Sequence, residues 1–224
     1  MTDRPRRQLL RAGAAAFGGT ALAGCTVLGN DAPRFDFFVI EDLRVPPAAP
    51  AAAPPRLDRT LLLTVGPTPA LFDSDRIVFT RDGAGRAYYQ YSNWSERPAR
   101  RVLALTEARL TAGGGFRAVA QTLAGVRGDQ VLSLRLDDMT HDDSVSPGVM
   151  RISVTAELLD WRTRTLAARR SFSRTATVGS RDARGAARAA SVAVTELLDE
   201  LAAWVEASVA AIPAGAAPAA TRAP

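Results

Sequence analysis

The chain has 224 residues, 47% of them hydrophobic and 23% charged, which is ordinary for a globular protein with one well-formed core. Its formal net charge of +5 is concentrated near the N-terminus, where Arg4, Arg6, Arg7 and Arg11 are opposed only by Asp3. The remainder is mildly basic and has no basic stripe with interleaved aromatic residues, which argues against nucleic-acid binding. Because there is a single cysteine, no internal disulfide is expected.

Residues 1–24 have the three parts of a bacterial export signal. A charged segment at 4–11 is followed by a weakly apolar segment at 12–21 and then by small residues. Arg6 and Arg7 resemble the twin-arginine export motif, which suits a segment of modest hydrophobicity. An ordinary Sec lipoprotein signal that contains two arginines is the alternative.

The sequence Leu22-Ala23-Gly24-Cys25 resembles a bacterial lipobox. It predicts cleavage between Gly24 and Cys25 and attachment of a diacylglycerol to the cysteine thiol, usually with a further acyl chain such as palmitate. Residues 25–33 would then be a lipidated tether, and no other cofactor is expected. Thr26, rather than aspartate, follows the cysteine, which resembles lipoproteins sorted to the periplasmic face of the outer membrane.

The first half of the mature chain is predicted to contain several strands and one helix. The segment from Leu43 to Arg56 is rich in proline and alanine and predicts an exposed loop. A helix is expected to begin near Pro98, with Ala99, Val102, Leu103, Thr106 and Leu110 on one face, and to end at three glycines from Gly113. The predicted strands are Phe35–Ile40, Leu61–Val65, Arg76–Thr80, Arg86–Tyr91 and Phe116–Gln121, the last one parallel or adjacent after the helical crossover.

The second half predicts three alternating strands and one long helix. The strands lie within 130–138, 151–158 and 166–178, and one dry face on each indicates an antiparallel meander. The helix spans Asp182 to Ala210 and should cover that face with Ala187, Ala190, Val194, Leu197, Leu198, Leu201, Val205 and Ser208. Residues 213–224 are predicted to be a disordered tail. The result is one domain, 34–212, with an α+β two-layer sandwich: a mixed, largely antiparallel sheet and two main helices.

Aromatic residues cluster between positions 88 and 94. Tyr88, Tyr89, Tyr91 and Trp94 include all three tyrosines of the chain. Strict strand alternation would place Tyr89 and Tyr91 on one face of the sheet and Tyr88 on the other. Two interpretations stay open: the rings belong to the core, or they form an exposed patch that contacts a partner or lipid.

Four aspartates, Asp137, Asp138, Asp142 and Asp143, surround His141, the only histidine. Carboxylates and imidazole bind divalent cations, but this segment has neither the glycine of a calcium loop nor a helical histidine pair. A solvated turn is favoured, and no metal site is predicted. With one histidine, and the sole cysteine in the lipobox, no Ser–His–Asp or Cys–His catalytic group is identifiable, which favours a protein that is not an enzyme.

The segment from Tyr89 to Pro98 reads Tyr-Gln-Tyr-Ser-Asn-Trp-Ser-Glu-Arg-Pro and precedes an amphipathic helix. It resembles the Tyr-x-x-x-x-Trp-x-x-x-Pro region of the ABC-type transport auxiliary lipoprotein family. The lipobox, the Phe35–Phe38 opening, the apolar strand before Pro67 and the long final helix fall where that family has them. The resemblance covers nearly the whole mature chain.

This resemblance implies a non-catalytic accessory subunit of an MCE-type transport system, which moves phospholipids or other hydrophobic molecules between inner and outer membranes. It implies an MCE-domain protein with its ABC permease and ATPase as partners, lipid as cargo, and a docking surface that includes Tyr88–Trp94. One alternative is an outer-membrane lipoprotein that activates a cell-wall (peptidoglycan) synthase. Another is a secreted hydrolase, which the scarcity of histidine and cysteine disfavours.

Overall fold

The computed structural model describes residues 34–44, 56–122 and 127–213. The predicted signal peptide with Arg6, Arg7 and Gly24, the lipidation site Cys25 and the tether at 25–33 lie outside these residues. So do 45–55 of the predicted loop and 214–224 of the predicted tail. The order of the elements is β1 (Asp36–Phe38), β2 (Leu57–Val65), β3 (Arg76–Thr80), β4 (Ala87–Trp94), α1 (Pro98–Ala112), β5 (Phe116–Gln121), β6 (Gln130–Asp142), β7 (Val149–Asp160), β8 (Thr165–Thr177) and α2 (Ala183–Ala211).

The strand β6 is the centre of the sheet. Along one edge its first half pairs in parallel with β2, and its last three residues pair in parallel with β3. Along the other edge it pairs with β7 over its full length, in antiparallel orientation. The sheet therefore divides at β6 into a β2–β5 branch and a β3–β4–β1 branch, because β6 is long enough to take two neighbours end to end on one edge.

The antiparallel meander β6–β7–β8 is confirmed, and so is the parallel neighbour after α1, since β5 pairs in parallel with β2. The α+β class with a mixed sheet and two helices is confirmed as well. The two longest ladders are antiparallel, and the parallel pairings lie on the branched side of β6 and in the attachment of β1 to β4.

Both helices contribute to one core against the sheet. Helix α1 starts with Pro98 at a position where its missing N–H costs no hydrogen bond, and its predicted apolar face is buried. Asp182 is the N-cap of helix α2, and its side chain accepts a 2.7 Å hydrogen bond from the Gly185 N–H. It packs on β7 and β8, as its amphipathic pattern predicts. At its last turn Val209 is buried, and Ser208 is only half-buried.

The meander differs from prediction at the end of β6. The strand was expected within 130–138 and His141 in a solvated turn, but β6 continues to Asp142 and the connection covers 143–148. The reason is that His141 is paired on both sides, with Phe79 of β3 and Met150 of β7. Two neighbours hold polar residues in an extended conformation that their own preferences would not favour. Within the described residues, neither helix is long and apolar enough to cross a membrane.

Candidate interaction surface

The strand β4 carries the aromatic cluster, and an irregularity in it decides which rings are exposed. Tyr88 lies opposite Val78 of β3, but Asn93 lies opposite Arg76, so the register shifts between Tyr88 and Asn93. Between these two pairs β4 has five residue steps and β3 has two, and an odd difference reverses the inside–outside alternation of β4. The expectation that Tyr89 and Tyr91 share a face is therefore wrong.

The inner side of β4 holds Tyr89 and Trp94. Trp94 is 2% exposed and belongs to the core between sheet and helices. The Tyr89 ring packs on Phe79, with ring centroids 4.8 Å apart, and its hydroxyl lies 2.7 Å from His141 Nδ1. Burial, and then the nearby carboxylates of Asp143 and Asp182, raise the pKa of Tyr89 to about 12. Both rings pack inside the domain: Trp94 is buried and Tyr89 is half-buried.

The outer side of the sheet holds Tyr88 and Tyr91, which are 38% and 41% exposed. The edge strand β1 extends this surface, since Phe35 and Phe37 are 57% and 63% exposed. The Phe35 and Tyr91 rings meet edge to face at 5.8 Å, and the Arg76 guanidinium lies 4.8 Å from the centre of the Tyr88 ring. We call the four rings Phe35, Phe37, Tyr88 and Tyr91 the aromatic face.

Two members of the aromatic face, Phe35 and Phe37, were not singled out from the sequence. The signal was present in the alternation of β1, because Phe38 packs on the core and Ile40 is buried, so residues of the opposite parity must point outward. Four consecutive apolar residues at 37–40 hide this alternation. Exposed aromatic rings that are contiguous across two strands are typical of interaction surfaces.

The acidic residues at 137–143 pair with basic and hydroxyl side chains, and Arg151 lies near the carboxylates of both Asp138 and Asp142. Asp142 accepts hydrogen bonds from Ser144 and forms an ion pair with Arg151, and these contacts, the Ser144 hydroxyl first, lower its pKa to about 2. Asp143 binds the Arg181 side chain at 2.6 Å. The remaining pair lies elsewhere along β6: Asp137 contacts Arg135 and Thr155, and Asp138 contacts Thr140. In the described part of the chain no group of three or more such side chains could hold a metal ion.

His141 is buried and has one hydrogen-bond partner. Its Nδ1 faces the Tyr89 hydroxyl, and its Nε2 has no partner among the described residues. Gly148 lies against this nitrogen, and a Cβ atom there would come within 3.0 Å of Nε2. Burial lowers the pKa of His141, although the neighbouring carboxylates of Asp143 and Asp142 oppose the shift. The neutral ring therefore serves as a core residue at neutral pH.

A charged network attaches the segment after β1 to both helices. Arg109 of α1 donates from Nε to Asp42 at 2.8 Å and also contacts Asp199 of α2. The N–H groups of Glu41 and Leu43 donate to the Ser191 and Thr195 hydroxyls of α2, at 3.0 and 2.9 Å. These contacts fix the path of the chain as it leaves β1, and thereby the position of the aromatic face relative to the helices.

Two cavities lie beside α1. One of about 440 Å³ is lined by Leu105, Ala108 and Arg109, among others, and one of about 360 Å³ is lined by Arg100, Leu103 and other residues. Neither is lined by a ring of the aromatic face. The four rings of the aromatic face are exposed on the outer side of the sheet, and exposed aromatic rings of this kind suit contact with another surface.

Comparison with solved structures finds this fold elsewhere. Protein XCC0632 from Xanthomonas campestris is similar with 22% identity and a TM-score of 0.67, over 77% of this chain and 95% of that chain. The hypothetical protein CT253 from Chlamydia trachomatis is similar with 10% identity and a TM-score of 0.50, over 70% of this chain and 100% of that chain. Identities this low show a shared fold alone. No curated protein matches the chain.

The sequence profile of one family matches residues 43–202. The matched region begins in the connection between β1 and β2 and ends within α2, so it includes α1, the first two thirds of α2 and every strand except β1. It therefore covers more than half of the chain and most of its folded part. The chain belongs to the family of ABC-type transport auxiliary lipoprotein components.

Proposed function

We propose that this protein is a non-catalytic, lipid-anchored accessory subunit of an MCE-type ABC transport system. The observation that carries the proposal is the family match over residues 43–202. Its partners would be an MCE-domain protein and the associated permease and ATPase, and the cargo would be phospholipid or another hydrophobic molecule. The acidic residues around His141 pair with basic or hydroxyl groups rather than forming a catalytic arrangement, which supports the non-catalytic role.

The anchor of this subunit is proposed to be the lipid on Cys25. The lipobox Leu22-Ala23-Gly24-Cys25 supports it, and Thr26 supports sorting to the periplasmic face of the outer membrane. A tether of this kind raises the local concentration of the domain near its partners without any new contact. The protein would then act by being held where the transport complex spans the periplasm.

Affinity capture of the tagged, lipidated protein from cross-linked envelopes tests the proposed partners. We expect the MCE-domain protein and its permease and ATPase to be recovered, and an unrelated lipoprotein with the same tag serves as the control. Recovery of a peptidoglycan synthase, with no MCE or permease component, would instead support a role in cell-wall synthesis.

A further inference from the structure

The aromatic face is an apolar surface on the side of the sheet opposite the helices. Phe38 and Trp94 lie opposite each other on β1 and β4 and point into the core. The four rings of the aromatic face therefore point away from the core. Val39, at the end of β1, is also exposed. Burial of such rings is favourable wherever an apolar surface is within reach.

The anchor brings a lipid surface within reach. Ten residues along the chain separate Cys25 from Phe35, so even a fully extended connection spans at most about 36 Å. The first residues of the folded domain after this connection are Phe35 and those of β1, and together they carry two of the four rings. No other strand of the described domain is joined to the anchor by so short a length of chain.

The side chains of the aromatic face suit the boundary between lipid headgroups and acyl chains. Tyrosine combines an apolar ring with a polar hydroxyl, and aromatic rings are enriched at membrane interfaces. The Arg76 guanidinium over the Tyr88 ring places a positive charge on the same side, where it can meet lipid phosphates. A bilayer also requires no complementary pocket, which suits rings that are exposed on one side of a sheet.

We infer that the aromatic face rests in the interfacial region of the bilayer that holds the Cys25 lipid. This inference rests on the lipid anchor of the proposed function. Contact at this face orients the domain, because attachment through one point of the chain does not by itself fix its orientation. Helices α1 and α2 then face the periplasm, where a protein partner can reach them.

A nitroxide label on an introduced cysteine tests this contact. In the anchored protein Cys25 is bonded to lipid, so Phe37→Cys supplies a single free thiol. Leu166→Cys is the matched control, because Leu166 is 54% exposed and lies on β8 near the start of β6. Measured along β6 at about 3.3 Å per residue, Leu166 lies roughly 30 Å from the residues where β3 pairs with β6.

The labelled, full-length processed lipoproteins are reconstituted into vesicles of phosphatidylethanolamine and phosphatidylglycerol. Collisions of the label with oxygen, which enters lipid, and with a water-soluble nickel chelate are then compared by electron paramagnetic resonance. We expect the oxygen-to-nickel ratio to be several-fold higher at position 37 than at position 166. A second pair, Tyr91→Cys with the same control, should give the same difference, and thermal unfolding confirms that each variant is folded.

Equal ratios at both positions, in protein that floats with the vesicles, would overturn the inference and leave the anchor intact. Protection of position 37 only after an MCE-domain protein is added would also overturn it, in favour of a protein contact. If Cys25 is not acylated, the result is different. The wild-type protein then reacts with one nitroxide label at Cys25 and does not float with the vesicles. That result would overturn the anchor and, with it, the inference.

Discussion

His141 is fully buried between β3 and β7, and its ring makes one hydrogen bond where it could make two. The groups that face it are Tyr89 from β4, Asp142 and Asp143 at the end of β6, and Arg181 and Asp182 before α2. Because burial lowers its pKa, the folded protein disfavours the charged ring. The sequence predicted a titratable residue in a solvated turn, and pairing of β6 with two neighbours turned it into a core residue.

The stability of the protein should therefore fall as the pH is lowered from 7.5 to 5.5. The unfolded chain binds a proton at His141 near the ordinary pKa of 6.5, whereas the folded protein binds it only at lower pH. Protonation thus favours the unfolded state below about pH 6.5. Urea unfolding at the two pH values measures the change in the free energy of unfolding.

His141→Gln is the control for this pH dependence. Because His141 is the only histidine, this variant should lose most of the difference between pH 7.5 and 5.5, whatever its overall stability. Asp142, with its pKa lowered to about 2 from 3.8, loses its stabilising contribution only at more acidic pH. A variant with the same pH dependence as the wild type would show that another group is responsible.

At the scale of elements, the start of α2 depends on one close contact. Gly185 lies in the first turn of the helix, and its backbone is so near Ser180 that a Cβ atom would come within 2.1 Å of the Ser180 carbonyl oxygen. In a free helix alanine is the better residue by about 1 kcal/mol. Here Ser180, in the segment before the N-cap Asp182, occupies the space that an alanine Cβ atom would need. This packing contact overrides the helix preference for alanine.

Gly185→Ala should accordingly reduce the free energy of unfolding, by about 1–3 kcal/mol, in spite of its higher helix propensity. Gly179→Ala is the matched control, because a Cβ atom there meets nothing within 4 Å. Chemical denaturation of both variants measures the difference. If Gly185→Ala proved as stable as the wild type or more so, the contact with Ser180 could not be as close as the structure has it.

The irregularity in β4 acts at the same scale. Alternation alone predicts which of two neighbouring rings is exposed, but an odd number of extra residues in one strand reverses that prediction from that point onward. The register shift between Tyr88 and Asn93 thereby exposes Tyr88 and Tyr91 together while Tyr89 stays inside. Half of the four aromatic residues singled out from the sequence thus lie on the surface.

For the molecule as a whole, we propose that location depends on the lipobox segment that precedes the folded domain. The anchor proposed at Cys25 holds a domain whose helices contribute to one side of the sheet and whose exposed aromatic rings lie on the other. Acyl chains supply a stable attachment to the bilayer, whereas contact at the aromatic face would set orientation. The two contributions are separable by mutation.

Cys25→Ala should move most of the protein from the membrane fraction to the soluble periplasmic fraction, because it removes the site of acylation. Thr26→Ala, which keeps the cysteine, is the control and should remain in the membrane fraction. Fractionation of envelopes followed by immunodetection measures both. Undiminished membrane association of Cys25→Ala would contradict the proposed anchor.

The sequence by itself determined the class of fold, the meander and the apolar faces of both helices. These features depend on periodicity and on caps, which are local properties of the chain. It also contained, between Tyr89 and Pro98, the motif that resembles the family. Only the tertiary structure decided the division of the sheet at β6, the burial of His141 and the composition of the aromatic face. Each of these depends on register between strands that are distant in sequence, and register is set by the fit of whole neighbours rather than by any local pattern.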